Sequence, residues 1–403
     1  MITLTEAAAE EHLAATAFTP AAPGLLGLTV ELLLERPGLP HPLLESLAAR
    51  PRMRHGYLTA RSARVLVASG PPSPGLESCA ERMTQDLHSA RALAAGHGLA
   101  ILDSAADATP GAPDAYATAG VRVVLEAGTD DAGPGGIARR WQVARAIAPV
   151  LAAAFANSPL RRGRPTGWRS TRVALRLPPA PAPDADGSRP VGAEGPGSAG
   201  PGLPGEAGTR VSGATGSRRP GGAAVTADPR AAWAALVLDA PVAGAGPQSP
   251  SFRDWLRSGG TTAPTLADLE RHLRTVRAPV AARGHLEIDV ADGQPGDGWR
   301  VPLAVIAALV DDPDAGEAAL AATAALTDTP GLWSRAARAA LTDPALAVAA
   351  RQCFLAAYAA LARQGVARPL RDAVAEYLER YVLRGRCPAD DALDRGDHSI
   401  SRL

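Results

Sequence analysis

The chain has 403 residues, a hydrophobic content of 46% and a formal net charge of zero at pH 7. This length accommodates two ordinary domains or one large enzyme, and the charge balance argues against a dedicated nucleic-acid or membrane-surface binder. All 41 basic residues are arginine. The sequence therefore contains no P-loop lysine, no Schiff-base lysine and no lysine–glutamate kinase pair.

The part of the chain before residue 178 predicts a mixture of strands and helices. In residues 27–34 the period of two places Thr29, Glu31 and Leu33 on one face of a strand. Further strands are predicted at 65–68, 121–126 and 172–177, and helices at 76–96 and 137–157.

Residues 178–228 are almost entirely Pro, Gly, Ala, Ser and Thr, with scattered charges. So little of this segment can be buried that it predicts a disordered spacer, since burial would not offset the ordering entropy. The predicted organisation is a first part at 1–177, the insertion at 178–228, the remainder of the same domain at 229–300 and a helical region at 301–403.

The second half predicts helices at 228–238, 252–257 and 265–275, and its clearest strand at 284–290. One face of that strand is apolar, and the other carries His285, Glu287 and Asp289. A face with three titratable side chains lines a site in some proteins and is simply solvated in more of them.

The most concentrated charge lies in residues 156–172, a Gly- and Pro-containing run with a single tryptophan, Trp168. Its arginines are Arg161, Arg162, Arg164, Arg169 and Arg172. Arginine offers forked donors that match carboxylate and phosphate oxygens. A solvated basic connection is the alternative, but charges of one sign in a neutral chain favour a loop that binds an anion.

The cysteines, Cys79, Cys353 and Cys387, are far apart and lack metal-binding or paired spacing. Their distribution predicts free core or surface thiols, not nucleophiles, in a reducing, cytoplasmic environment. The eight histidines show no zinc-ligand spacing.

The run AFANSPLRRGRPTGWRSTR (residues 154–172) resembles the central motif of the plant and bacterial glutamate–cysteine ligases, in particular the actinobacterial ones of ergothioneine synthesis. Other pieces resemble the family in the same order. They are TAGVRVVLE (118–126), DAPV (239–242), HLRTVRAPV (272–280), GHLE (284–287), QPGDGW (294–299) and DAVAEY (372–377).

This resemblance implies an α+β fold in which a curved antiparallel sheet forms a funnel, as in glutamine synthetase, with helices outside. It implies that ATP and Mg²⁺ activate glutamate as an acyl phosphate, which the amine of cysteine attacks. On the matching positions, Arg172, Arg164 and Arg169 are the catalytic candidates, and Thr118, Asn157 and Trp168 the substrate-binding ones. Glu31 is the candidate metal ligand. The expected partners are small molecules, with no nucleic acid and no membrane.

The sequence also departs from the family pattern at charged positions. The family's E-x-E strand retains only Glu31, because Thr29 stands at the first position. Its E-P-G-G-Q-x-E-L-S strand has Arg61 and Val67 at the glutamates, and its L-E-x-R has Asp289 at the arginine. The Gln and Asn of its T-A-S strand become Arg122 and Val124.

Two hypotheses therefore stand. In the first, the protein is an ATP-dependent glutamate–cysteine ligase whose metal site is rearranged, with Glu126, Glu287 or Asp289 as substitute ligands. In the second, it is a catalytically impaired paralogue that binds a ligand or regulates another protein. A ligase that joins a different amine to glutamate is a third option.

Overall fold

A seven-stranded antiparallel sheet with helices packed on one side organises the described part of the chain. The computed structural model describes residues 4–35, 39–49, 53–106, 117–161, 164–177, 228–242, 249–258 and 263–400. The predicted insertion at 178–228 lies outside these residues, apart from Asp228. The described architecture is of the α+β class.

The strands are β1 (Leu25–Leu33), β2 (Tyr57–Ser62), β3 (Val65–Ser69), β4 (Ser73–Pro74), β5 (Gly120–Leu125), β6 (Leu160–Arg161), β7 (Arg164–Pro165), β8 (Val280–Ala282) and β9 (Leu286–Asp292). The first eight helices are α1 (Glu6–Ala17), α2 (His41–Ala48), α3 (Gly75–Gly96), α4 (Ile137–Ala154), α5 (Thr171–Ala174), α6 (Pro229–Asp239), α7 (Phe252–Ser258) and α8 (Leu266–Thr275). The C-terminal helices are α9 (Arg300–Asp311), α10 (Pro313–Thr323), α11 (Leu332–Ala339), α12 (Pro344–Arg363), α13 (Arg368–Arg380) and α14 (Pro388–Ile400).

The strand order is β2-β3-β1-β5-β9-β8, with β4 paired to β1, and β6 and β7 forming a separate hairpin. In this register Thr29 lies between Ser69 and Arg122, and Glu31 lies opposite Val67. A bulge between β5 and β9 brings Gly120 opposite Asp292. Because side chains alternate across a strand, these residues share one face of the sheet, which we call the polar face.

The other face of the sheet is apolar and forms the core. Leu28, Val30, Val123 and Ile288 are buried there. Helix α3 packs on β1 and β3, α9 on β5, and α4 on β9, while α10, α12 and α13 form an outer layer against α4 and α9. One sheet face is thus covered by helices, as the fold class requires.

Three helices begin at an Asp-Pro pair, which explains why their starts are sharp. Asp228, Asp312 and Asp343 accept hydrogen bonds from the first-turn amides of α6, α10 and α12, and the following proline occupies the first helical position. An N-cap carboxylate satisfies otherwise unpaired amides, and proline there loses no hydrogen bond.

Helix α12 is apolar and long enough to cross a membrane by length and composition alone. In the structure it packs against α4, α9, α10 and α13, with Phe354 and Cys353 fully buried. It is therefore a core helix of the described fold.

The predicted strands at 27–34, 65–68, 121–126 and 284–290 are confirmed as β1, β3, β5 and β9, and α9 to α14 occupy the predicted helical C-terminal part. The strand predicted at 172–177 is wrong. Residues Thr171–Ala174 form the short helix α5, whose N-cap Ser170 accepts a hydrogen bond from the Val173 amide. Both the Arg169 and Ser170 amides donate to the Ala337 carbonyl, which turns the chain before any strand can form.

Candidate functional site: an ionic cluster on the polar face

Acidic and basic side chains gather on the polar face where β2, β3, β1, β5 and β9 lie side by side. We call them the ionic cluster: Glu31, Arg61, Arg122, Arg172, Arg176, Glu287, Asp289 and Asp292. The sheet supplies all of them except Arg172 and Arg176, which come from α5 and the turn after it.

Glu31, the candidate metal ligand, is buried in the middle of β1 with both carboxylate oxygens engaged. Its Oε2 accepts the Gly120 amide at 2.9 Å, and its Oε1 lies 3.0 Å from Arg61 Nη1. Arg61 also donates to the Thr118 carbonyl, so Thr118 adjoins this pair through its backbone. Glu31 is therefore held by protein groups at both oxygens.

Arg172, the leading catalytic candidate, is only 2% exposed. Its Nη2 donates to Asp289, and its Nη1 lies 3.7 Å from Asp292. A Cβ on Gly120 would overlap the Arg172 guanidinium, so glycine at this position lets the guanidinium lie directly against the β5 backbone. The Nε and Nη1 atoms of Arg172 are buried without a hydrogen-bond acceptor among the described residues.

Asp289 is the hub of the cluster, because it contacts Arg172, Arg176 at 3.1 Å and Arg122 at 3.4 Å. Burial alone would raise the pKa of Asp289, but these three guanidinium groups hold that pKa well below its usual range. The carboxylate is ionised at neutral pH and is already neutralised by protein cations. The sequence left open whether the strand face that carries Asp289 lines a site. In the structure Asp289 neutralises arginines of the protein itself.

Asp292, which sequence reasoning did not single out, joins the sheet to the arginine-rich loop. It is fully buried and accepts hydrogen bonds from the Asn157 amide at 2.8 Å, Ser158 Oγ at 2.6 Å and Ser170 Oγ at 3.0 Å. Burial raises the pKa of Asp292, although Arg172 and the bonds from Ser158 and Asn157 act in the opposite direction. The available sequence signal was its position two residues before the matched QPGDGW segment.

Asn157 uses its side chain for structure. Its Nδ2 donates to the Gly293 carbonyl at 2.7 Å and to the Asp103 carbonyl at 3.2 Å. This amide therefore ties the end of β9 to the segment after α3, and its donor group is already occupied.

The remaining loop candidates lie away from the ionic cluster. Arg169 pairs with Asp390 of α14 at 2.7 Å, and Trp168 lies under Arg338, whose guanidinium carbon is 4.7 Å from the ring centroid. Arg164 is exposed and, with Trp168, lines a separate cavity of about 410 Å³. The structure thus brings together Glu31, Thr118 and Arg172, but not Arg164, Arg169 or Trp168.

A magnesium ion does not fit the cluster as these residues are arranged. Mg²⁺ takes oxygen ligands in near-octahedral geometry, usually one or two carboxylates with water and phosphate. Among the described residues no group of three or more His, Cys, Asp or Glu side chains could hold a metal ion. The proposed substitutes are also engaged: Asp289 as above, Glu287 with Arg283 at 3.3 Å, and Glu126 at the opposite end of β1 with the Leu25 amide.

The three cysteines are free thiols, and the structure buries all of them, which the sequence left open. Burial raises the pKa of Cys79 and of Cys353 to about 12. Neither forms a nucleophilic thiolate at neutral pH, because the thiolate fraction falls as the pKa rises.

An antiparallel sheet with one helix-covered face and one face of paired acids and arginines defines an α+β protein with a charged sheet face. The family model described as Glutamate-cysteine ligase family 2 matches residues 108–182 and 215–402, and the chain belongs to this family. It is 32% identical over 307 residues to the glutamate–cysteine ligase EgtA of Mycolicibacterium smegmatis, covering 72% of this chain and 59% of that protein. It is 30% identical over 372 residues to the glutamate–cysteine ligase EgtA of Mycobacterium tuberculosis, covering 81% of this chain and 74% of that protein.

The departures from the family pattern are complementary in space. Arg61, where the resemblance implies a glutamate, binds Glu31, and Asp289, where it implies an arginine, binds Arg172. Each retained candidate is therefore paired with a residue of opposite sign to the family's. Two such pairs within one cluster indicate that the substitutions form a single compensated charge network.

Proposed function

We propose that this protein is a glutamate–cysteine ligase-like binding protein that does not perform the magnesium-dependent phosphoryl transfer implied for the family. The single observation that supports this proposal is the pairing of Glu31 with Arg61 and of Arg172 with Asp289. A carboxylate neutralised by an adjacent guanidinium is a poor ligand for a hydrated cation. A buried arginine that is already neutralised by an aspartate binds a substrate carboxylate weakly.

The alternative function is an active ligase that forms γ-glutamylcysteine from glutamate, cysteine and ATP for ergothioneine synthesis. The identity to two glutamate–cysteine ligases and the proximity of Glu31, Thr118 and Arg172 support it. Under either proposal the sheet forms the base of a funnel like the one implied for the family, and the ligands are small molecules. Under both we place the protein in the cytoplasm.

Turnover separates the two functions. We expect purified protein with ATP, Mg²⁺, glutamate and cysteine to release ADP no faster than a control without amino acids. A turnover rate of about 10 s⁻¹, typical of enzymes, would establish the ligase instead. Calorimetric titration of the protein with ATP, in the presence and absence of Mg²⁺, completes the test. We expect the heat of ATP binding to be the same in both.

A restored metal site tests the physical reason. Val67 lies directly opposite Glu31, where facing side chains approach to about 5 Å between Cβ atoms. The double variant Arg61→Glu with Val67→Glu places two further carboxylates beside Glu31. We expect this variant, and not the natural protein, to bind Mn²⁺ in an electron paramagnetic resonance titration.

Val124→Glu is the matched control, because position 124 lies on the same sheet face but pairs with Gly27 and Glu287, away from Glu31. It should bind no more Mn²⁺ than the natural protein. Equal Mn²⁺ affinity of the natural protein and the double variant would contradict the proposal.

A further inference from the structure

A cavity of about 690 Å³ lies beside the ionic cluster and is bounded by the turn between β9 and α9, by α13 and by the start of α14. Its volume is within the range of about 300–1,000 Å³ that small-molecule sites occupy. We call it the tyrosine cavity after Tyr377 and Tyr381, which line it together with Val301 and Ala373.

The two tyrosines line the cavity and contact each other, and the Arg380 guanidinium lies over the Tyr381 ring. Their ring centroids are 4.9 Å apart at an interplanar angle of 55°. Both hydroxyl groups are already used, since Tyr377 donates to the Ala154 carbonyl at 2.9 Å and Tyr381 donates to Asp391 at 2.9 Å. The wall therefore favours an apolar or aromatic group.

Unlike the ionic cluster, the tyrosine cavity has a carboxylate with spare capacity. Glu376, one residue before Tyr377 on α13, lines the cavity and forms no hydrogen bond or ion pair with another described residue, although the charge of Arg380 on the same helix attracts it. An ammonium group is the natural partner of such a carboxylate beside aromatic rings, because both attract cations.

The cavity also carries a guanidinium with unused donors. Arg300 binds Thr84 and Asp297 through Nη2 alone, at 3.1 and 3.2 Å. Its Nε and Nη1 donate to no acceptor within the described ranges. This group can receive a carboxylate.

A cavity with charges of both signs beside an aromatic wall favours a ligand that carries a positive group, a negative group and an apolar side chain. The lining carries four carboxylates, Asp103, Asp297, Glu376 and Asp391, and three guanidinium groups, Arg300, Arg380 and Arg395. A polyanion such as a nucleotide triphosphate would leave those carboxylates without a cationic partner from the ligand. A simple organic cation would leave the spare donors of Arg300 unused. We propose that the tyrosine cavity binds a free α-amino acid with an apolar or aromatic side chain, held as a zwitterion.

In this arrangement the ligand ammonium binds Glu376, the ligand carboxylate binds Arg300, and the side chain lies against Tyr377 and Tyr381. The site is separate from the ionic cluster, and Asn157 lies between the two. Asn157 lines the cavity, and its backbone amide donates to Asp292. The inference does not depend on whether the polar face turns over ATP.

Calorimetric titration of the full chain with three related compounds tests both charges. L-phenylalanine carries both, L-phenylalaninamide lacks the carboxylate, and N-acetyl-L-phenylalanine lacks the ammonium. We expect L-phenylalanine to bind and each blocked compound to bind at least about tenfold more weakly, because a charged hydrogen bond contributes that much or more. Equal affinity for all three, or no heat from any of a panel of free amino acids, would overturn the proposal.

A variant pair assigns the ammonium partner. Glu376→Gln should abolish the preference for L-phenylalanine over its N-acetyl derivative. Glu379→Gln, on the same helix and exposed but not lining the cavity, should leave it intact. Unchanged melting curves of both variants establish folding. Binding that survives Glu376→Gln with its preference unchanged would place the ligand elsewhere, while the tests of the ionic cluster would stand unaffected.

Discussion

The ionic cluster and the tyrosine cavity both contain acidic side chains and arginines, but these groups are paired with each other in the cluster and partly unpaired in the cavity. In the cluster the acids are bound to arginines or backbone amides, with Asp289 alone contacting three guanidinium groups. In the cavity Glu376 and part of Arg300 remain available. The difference is burial, because a charge removed from water must find a protein partner, whereas a charge at a cavity mouth keeps its hydration until a ligand arrives.

The largest expected effect is at Asp289. Asp289→Asn leaves Arg172 and its neighbours without their shared counter-ion, and breaking a buried pair costs about 3–5 kcal/mol in the free energy of unfolding. Urea denaturation at neutral pH measures it. Glu317→Gln, which removes a highly exposed partner of Arg139, is the control and should cost about 1 kcal/mol or less.

The same variant has a defined pH signature. The pKa of Asp289 is lowered in the folded protein, so its stabilisation is complete above the unfolded pKa of about 3.9 and is lost as pH falls from there toward the folded pKa. We expect the stability difference between the natural protein and Asp289→Asn to be constant from pH 8 to about pH 5 and to shrink below about pH 4. A difference that grows on acidification would show that Asp289 is not an ionised hub.

The next effect is at Gly120. A methyl group there would overlap the buried Arg172 guanidinium, and forcing extra volume into a packed site costs about 1–3 kcal/mol. Gly120→Ala should lower the melting temperature without changing binding in the tyrosine cavity. Gly96→Ala, at a position where an added Cβ meets nothing within 4 Å, is the matched control. An unaltered melting temperature for Gly120→Ala would mean that Arg172 is not packed against β5.

The smallest effect is at Arg61. Its side chain is 35% exposed, so water screens the pair with Glu31, and Arg61→Gln should cost about 1 kcal/mol or less. Thermal unfolding at low and high salt checks this, because an ion pair with a partly exposed arginine loses strength as the ionic strength rises. A cost as large as that of Asp289→Asn would show that Arg61 belongs to the buried part of the cluster.

The elements of the sheet illustrate what local pattern can predict. The period-two alternation in β1 and β9 is a direct consequence of strand geometry, so Glu31 and Asp289 were correctly placed on polar strand faces. The same alternation misled at residues 172–177, where Ser170 caps a helical turn and the Ala337 carbonyl, far along the chain, fixes the backbone. The sequence patterns did not predict strand β2. Without that strand, the contact between Arg61 and Glu31 could not be predicted.

The sequence by itself determined the family, the strand and helix periodicities and the positions at which family charges are reversed. Only the tertiary structure decided that those reversals neutralise one another. Arg61 on β2 and Glu31 on β1 meet across the intervening strand β3, and Arg172 and Asp289 lie 117 positions apart in the chain yet in contact. Periodicity is a local property of the backbone, whereas an ion pair depends on distance in space, and strand register, a β-bulge and one glycine without a side chain set that distance here.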